Sequence, residues 1–337
     1  MADSLVIGGA GFIGRGLVAR LLDAGRSVRV LSRSSAPWMN RGAQLQFVRG
    51  DVADADAVLR ASEGVGEVFH LAMSGGEGWS EFERVTLGGA RNVANACREN
   101  GVRRLVFAST IACLYLGDKG TVTDPAQPDP KIEERPFYAR AKALAERLLL
   151  AEKIPLVIVR PGVVVGKGTP VTHSGVGYWP ADRCCIGWGL GNNPIPFVLV
   201  DDVAEATFLA MEAPGIEGRT YNLVGDVRPT AREYVRLLSE RTRRRIEFYP
   251  RSLARLQTIE IMKWAVKIAA RKAENPFPSM RDLRSRSFEA QIDCSAAKLD
   301  LGWRPNADRQ TFIQQAIDVH LRPIASGDLR LAAAPRG

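Results

Sequence analysis

Gly8-Gly9-Ala10-Gly11-Phe12-Ile13-Gly14, entered from the apolar run Leu5-Val6-Ile7, is the stretch on which the fold turns. A short β-type run ends in glycines, and the glycines open a helical pattern in which Leu17, Val18, Leu21 and Leu22 recur at three- and four-residue steps. Gly8 suits the tight turn, Gly11 lets the backbone approach a pyrophosphate, and Gly14 lets the helix pack closely on the strand. A diphosphate would then rest on unpaired N–H groups at the positive end of that helix.

Composition bounds what can surround this turn. A chain of 337 residues exceeds one ordinary domain, and 46% hydrophobic residues can fill a large core, which predicts an α/β unit with a smaller lobe. Five cysteines without a CxxC pair, and three scattered histidines (His70, His173, His320), argue against a metal site. No basic region followed by an apolar core opens the chain and no run of eighteen apolar residues appears, so a reducing cytoplasm is the expected location. The net charge of +9 is spread out apart from Arg241 and Arg243-Arg244-Arg245, with no interleaved aromatics. That pattern argues against nucleic acid and for a basic surface that attracts phosphorylated small molecules.

The second strand, Ser27 to Leu31, is followed by Ser32-Arg33-Ser34, where an NAD site usually places an acid for the ribose 2′-hydroxyl. Arg33 offers a fork of donors that fits a 2′-phosphate, so NADP is favoured over NAD. Phe47 to Val52 reads as the third strand, with Asp51 placed to contact the adenine, or Asp51 or Asp54 to cap a helix at 55–61. Glu67 to Ala72 is the fourth, in which His70 reads as a hydrogen-bonded structural histidine. A helical pattern covers 83–100 and stops at Gly101, and the strand from Arg104 delivers Ser109 and Thr110 at its carboxyl end.

After a polar, proline-rich loop at 117–135 comes Pro136-Phe137-Tyr138-Ala139-Arg140-Ala141-Lys142. Tyr138 and Lys142 stand four apart on a strong helix former and project from one face. An ammonium near the phenol is expected to lower the tyrosine pKa, so that it can exchange a proton with a hydroxyl or carbonyl while hydride moves. Thr110 or Ser109 would bond the same oxygen.

These residues resemble an extended short-chain dehydrogenase/reductase of the NAD-dependent epimerase/dehydratase family. The resemblance runs from Leu5 to about Pro305. It rests on Gly8-x-x-Gly11-x-x-Gly14, Gly50-Asp51-Val52, His70-Leu71-Ala72, Ser109-Thr110, Tyr138-x-x-x-Lys142, Arg160-Pro161-Gly162, Phe197 to Val203, Tyr221-Asn222-Leu223 and Leu301-Gly302-Trp303-x-Pro305. It implies a Rossmann-type doubly wound parallel sheet, residues 1–165 with 197–226, carrying a smaller α+β substrate-binding lobe at 166–196 and 227–325. Residues 326–337 read as a flexible tail. By the same resemblance Tyr138 is the acid/base, Lys142 holds the nicotinamide ribose, and Thr110 orients the substrate with Ser109 beside it. The cofactor would run along Gly8, Gly11, Phe12, Ile13 and Gly14, past Ser32, Arg33, Asp51, Val52, Leu71 and Ala72, to Pro161, Gly162 and Val163. A homodimer through helices 83–100 and 137–152 would hide apolar outer faces.

Departures from the family narrow the reaction. Ile111 and Ala112 replace the acid pair of sugar-nucleotide dehydratases, Val163 replaces the amide of galactose-type epimerases, and Thr86 stands where an asparagine is common. Simple oxidoreduction, or epimerisation through a transient ketone, survives. Glycines and aromatics around His173, Tyr178 and Trp179 suit a sugar ring, so a nucleotide-linked or related sugar is the first expected substrate. A hydrophobic alcohol or ketone, as in the dihydroflavonol and 3β-hydroxysteroid branches, is the second. A non-catalytic NADP sensor is a third reading, against which the Thr110, Tyr138 and Lys142 set argues. The pattern at 253–272 predicts a basic amphipathic helix that covers the lobe or touches a membrane surface.

Overall fold

The computed structural model describes residues 2–35, 42–76, 78–270, 277–323 and 329–331. Its first half alternates strand and helix: β1 (Ser4–Ile7), α1 (Phe12–Asp23), β2 (Val28–Ser32), β3 (Leu45–Arg49), α2 (Ala55–Ala61) and β4 (Glu67–His70). Then come α3 (Trp79–Phe82), α4 (Gly89–Glu99), β5 (Arg104–Ala108), β6 (Gly120–Val122), α5 (Phe137–Ala151), β7 (Leu156–Pro161) and β8 (Val163–Val165). After β9 (Gly177–Ala181) and β10 (Cys184–Gly187), the chain forms β11 (Phe197–Leu199), α6 (Val200–Glu212) and β12 (Thr220–Leu223).

Seven strands make one parallel sheet in the order β12-β7-β5-β4-β1-β2-β3. β1, β4, β5 and β7 are buried along their whole length, as near-continuous apolar strands are when helices cover both faces, with Ser4, Glu67, Arg104 and Arg160 at buried positions among them. One face packs under α1 and α6, with Leu17, Leu21, Val203 and Phe208 in its core; the other packs under α2, α4 and α5, with Val58, Val93 and Leu149. The chain leaves β1 towards β2 and β3, then returns to start β4 on the other side of β1. That reversal opens a crevice at the carboxyl ends of β1 and β4, where such sheets bind ligands.

The remaining elements are α7 (Ala231–Thr242), β13 (Glu247–Tyr249), α8 (Leu253–Ala269), α9 (Met280–Arg286), β14 (Ala290–Ile292), α10 (Ser295–Asp300), α11 (Arg309–Ala316), β15 (Leu321–Pro323) and β16 (Leu329–Leu331). A three-stranded sheet of β9, β10 and β13 packs beside α7 and α11 around Tyr234, Leu238 and Phe312. Several boundaries differ from expectation. The stretch 117–135 contains β6, which pairs with β14, and Ile292, Ala297, Leu301 and Trp303 join the core of the large sheet rather than the lobe. Trp303 anchors this return, its indole N–H donating to the Asp202 carbonyl at 2.9 Å. The expected tail is not wholly loose: Leu329–Leu331 pairs antiparallel with Leu321–Pro323, while 324–328 and 332–337 lie outside the described residues.

Helix 83–100 is in fact a π-turn, Glu83–Gly88, leading into α4. The outward side of α4 carries Arg91, Asn95, Arg98 and Glu99, and that of α5 shows Leu150 beside Arg147, so the faces expected to be apolar are mostly polar. No helix among the described residues is long and apolar enough to cross a membrane.

Candidate active site

A cavity of about 550 Å³ lies at the carboxyl ends of β1, β4 and β5. Its floor is the glycine turn. Gly8 has φ +88°, which L side chains avoid, and a Cβ there would stand 2.7 Å from the Ala72 nitrogen. A Cβ at Gly14 would meet the Gly8 carbonyl oxygen at 2.4 Å and the Gly9 Cα at 2.6 Å. The turn is therefore closed against side chains, and α1 begins at Gly11 without a side-chain cap or an acid in its first turn. Its leading N–H groups are left for an anion. The structure thus offers a cradle that fits a dinucleotide diphosphate.

Opposite the turn, β5 and α5 meet. Thr110 accepts from the Ala112 N–H at 3.1 Å, and its hydroxyl faces the Tyr138 phenol across the cavity wall. Lys142, one turn further along α5, is buried and donates to the Ala108 carbonyl at 2.7 Å, its ammonium 4.7 Å from the centre of the Phe107 ring. Burial brings Lys142 down from 10.5 to about 8, and Glu146, the next residue on that face, opposes the fall. The phenol departs from expectation. Burial pushes Tyr138 up rather than down, Thr110 is what pulls it back, and no lowering by the ammonium is found. Lys142 directs an N–H to the Ala108 carbonyl, and burial is what dominates at the phenol.

Glu146 was not singled out in the sequence, although it repeats the four-residue spacing of Tyr138 and Lys142. Its carboxylate takes two hydrogen bonds from Arg160, at 2.8 and 2.6 Å, in a pair with both side chains under 4% exposed. The Cys113 thiol, pushed up by burial, lies between this pair and the Thr110 carbonyl. Ser109 lines the cavity next to Thr110, with its hydroxyl toward Cys113.

The cavity brings together Gly8, Gly11, Phe12, Ile13, Gly14, Leu71, Ser109, Thr110, Tyr138, Lys142, Pro161, Gly162, Val163 and His173. Other expected site residues lie outside its walls. Ser32 bonds the Ser34 carbonyl and Arg33 is exposed at the end of β2. Asp51 turns its carboxylate to the Ala53 N–H, while Asp54 is the residue that caps α2. Val52 is buried in the core and Ala72 stands against Gly8. Arg33, Asp51, Val52 and Ala72 follow β2, β3 and β4, along the edge where the far end of a dinucleotide would extend.

Two substrate expectations are corrected: Tyr178 points outward beneath Lys263, and Trp179 packs into the lobe core with its indole on the His173 carbonyl. His173 itself accepts from the Gly175 N–H at 2.9 Å and is held by burial at about 4. His70 is corrected as well, since neither ring nitrogen has a hydrogen-bond partner among the described residues, and burial brings it to about 3. Thr86, on the π-turn, accepts from the Ser74 N–H at 3.3 Å. No motif in the sequence marks the opposite wall, formed by Asp282, Ser285 and Arg286 of α9 and by Phe288.

With that geometry in view, comparison with known proteins decides the lineage. A model of the NAD dependent epimerase/dehydratase family matches residues 4–224. The chain belongs to this family. Within the extended short-chain dehydrogenases/reductases, family relatives include a 2-alkyl-3-oxoalkanoate reductase of Stenotrophomonas maltophilia (strain K279a), 33% identical over 62% of this chain and 65% of that protein. Another is a 3 beta-hydroxysteroid dehydrogenase/Delta 5-->4-isomerase of Mycobacterium tuberculosis (strain CDC 1551 / Oshkosh), 32% identical over 49% of this chain and 47% of that one. The match thus spans less than two thirds of these relatives' own length. Among solved structures of the same fold, MoeE5 in complex with UDP-glucuronic acid and NAD superposes with a TM-score of 0.72 at 23% identity, covering 94% of this chain and 98% of that one.

Proposed function

We propose that this protein is an NAD(P)-dependent oxidoreductase of an apolar secondary alcohol or its ketone. The observation that carries this reading is the wall above the acid/base group: Met73, Ile111, Leu116, Val164 and Phe288 surround the space beyond Tyr138 and Thr110. Desolvating such a surface around an apolar substrate is favourable, and the polar groups of the cavity, Asp282, Ser285 and Arg286 among them, are gathered on the facing wall. The aromatics expected to stack a sugar, Tyr178 and Trp179, face elsewhere. The curated relatives named for an oxoalkanoate and a hydroxysteroid support the same choice. A nucleotide-linked sugar, first on the sequence alone, becomes the second reading.

A nicotinamide cofactor, when bound, would supply the hydride chemistry at the carbon that carries the substrate oxygen. Gly8 to Gly14 would hold its diphosphate, and Lys142, charged below about pH 8, its ribose hydroxyls. Tyr138 gives its phenolic proton to the oxygen as negative charge develops, and Thr110 donates to the same oxygen or to the phenolate left behind. A high phenol pKa suits the acid role, because the proton stays in place until the alkoxide, a far stronger base, demands it. The apolar wall excludes water from that exchange.

NADP is preferred in this proposal. Arg33 is exposed after β2 and makes no ion pair among the described residues, so its guanidinium can take a 2′-phosphate. Arg33→Ala should weaken NADP more than NAD; equal losses would refute phosphate recognition there. The reaction itself is tested by following nicotinamide absorbance with both cofactors against a panel of alkyl and cyclic ketones and nucleotide sugars. Consumption with the ketones supports the proposal. Turnover confined to the sugars would refute it.

A further inference from the structure

The helix α8 buries little of its surface against the protein. Of its seventeen residues only Leu256 is buried, although the helix follows a Ser252 cap that accepts from the Arg255 N–H. Leu253, Leu256, Gln257, Ile261 and Trp264 mark the side turned to the protein, with Gln257 bonded to the Pro278 carbonyl. The opposite side presents Ile259, Met262, Val266 and Ala269 to solvent, with Met262 65% and Val266 70% exposed. An apolar stripe expected to cover the lobe therefore divides: its first residue reaches the core and the rest face away. Residues 271 and 272, the end of the expected helix, lie outside the described residues.

We propose that this face of α8 lies on an anionic lipid surface. The charge around the stripe selects that occupant. Lys263 and Lys267 flank an open apolar groove made with Ile259, Met262 and Val266, and Arg255 extends the basic edge towards the helix start. The helix holds a single acid, Glu260, and it is neutralised by Lys263 at 2.8 Å. Lysine stems can run along the apolar strip while their ammonium groups reach headgroup phosphates. A helix with exposed apolar bulk on one side and net positive charge beside it sits in the headgroup boundary with its axis parallel to the surface. α8 packs on α9, whose Asp282, Ser285 and Arg286 form a cavity wall, so docking places that wall one helix behind the lipid surface. The inference does not depend on the substrate being apolar.

The test is co-sedimentation of the whole protein with vesicles of phosphatidylcholine alone, or of phosphatidylcholine and phosphatidylglycerol in equal parts. Binding is expected to need phosphatidylglycerol and to be lost in molar salt. The double variant Met262→Glu/Val266→Glu should reduce partitioning at least about tenfold, and Lys263→Gln/Lys267→Gln by roughly tenfold. Both should keep the wild-type melting temperature, as surface changes, and the cofactor affinity. No sedimentation of the wild type with either vesicle overturns the proposal, as does undiminished binding of the glutamate variant. Light scattering supplies the remaining outcome. If the wild type is a dimer that the glutamate variant dissociates, and vesicles bind neither, the face belongs to a second copy and the lipid proposal falls.

Discussion

Replacing Glu146 by glutamine probes the part of the site that lies behind the reacting groups. The carboxylate is 1% exposed and receives both N–H groups of an Arg160 fork that is 3% exposed. A carboxamide keeps one acceptor, sets its NH₂ group against a donor, and leaves the guanidinium charge without a counter-ion. Breaking a buried pair in this way costs about 3–5 kcal/mol. That is a large share of the total stability of roughly 5–15 kcal/mol usual for a folded domain, and it should lower Tm by on the order of 5–10 °C.

A second effect falls on the chemistry. Glu146 is the largest influence holding the Lys142 ammonium up against burial, so without it the amine loses its proton below about pH 8. The alkaline limb of kcat/KM for ketone reduction should therefore move to lower pH in Glu146→Gln. Thermal melts at neutral pH and a pH–rate profile check the two effects separately. Glu146→Met/Arg160→Met should recover part of the lost stability, since an apolar pair carries no buried charge, but not the wild-type profile. A Glu146→Gln protein melting within about 2 °C of wild type, with its alkaline limb unmoved, would refute this account of the pair.

Other outcomes follow from the same coordinates. Gly14→Ala puts a methyl group 2.4 Å from a backbone oxygen that cannot move aside, so nicotinamide dinucleotide affinity measured by calorimetry should fall, with a stability loss of roughly 1–3 kcal/mol. Unchanged affinity would mean that the turn does not hold the diphosphate. His70 is held at about 3 against 6.5 in its unperturbed state, so between pH 6.5 and 3 the unfolded chain takes a proton that the folded one refuses. Stability contributed by this residue is present above pH 6.5 and lost as pH falls towards 3, and His70→Leu should flatten that limb in acid denaturation. Because neither ring nitrogen is paired among the described residues, the same variant should cost no more than about 1.5 kcal/mol at neutral pH. A loss above roughly 3 kcal/mol would show that the ring has a polar partner.

The sheet and the glycine turn were legible because they depend on local pattern. A strand buried on both faces needs a near-continuous apolar run, and a strand–helix junction this tight needs glycine. The Tyr138–Lys142 pair is legible from helical spacing for the same reason, and Glu146 stands at the next step of that spacing. What no local pattern revealed was where charge would go after folding. Lys142 turns to the Ala108 carbonyl and Arg160 to Glu146, partners 34 and 14 residues away, so the phenol's surroundings could not be set from its neighbours in sequence. The substrate side was least legible. Tyr178 and Trp179 look like a sugar platform in one dimension, but β9 and its packing send one to the surface and one to the core. The wall that does face Tyr138 arrives from α9, more than a hundred residues later.

In the proposed reaction Tyr138 passes a proton to a ketone oxygen beside the apolar wall of the cavity. Single-turnover oxidation of bound reduced nicotinamide by an alkyl ketone, compared between wild type and Tyr138→Phe, tests it most directly. Tyr138→Phe is expected to bind the cofactor within about twofold of wild type and to reduce the ketone at least about 100-fold more slowly. Reduction at an unchanged rate by the Tyr138→Phe protein would contradict it.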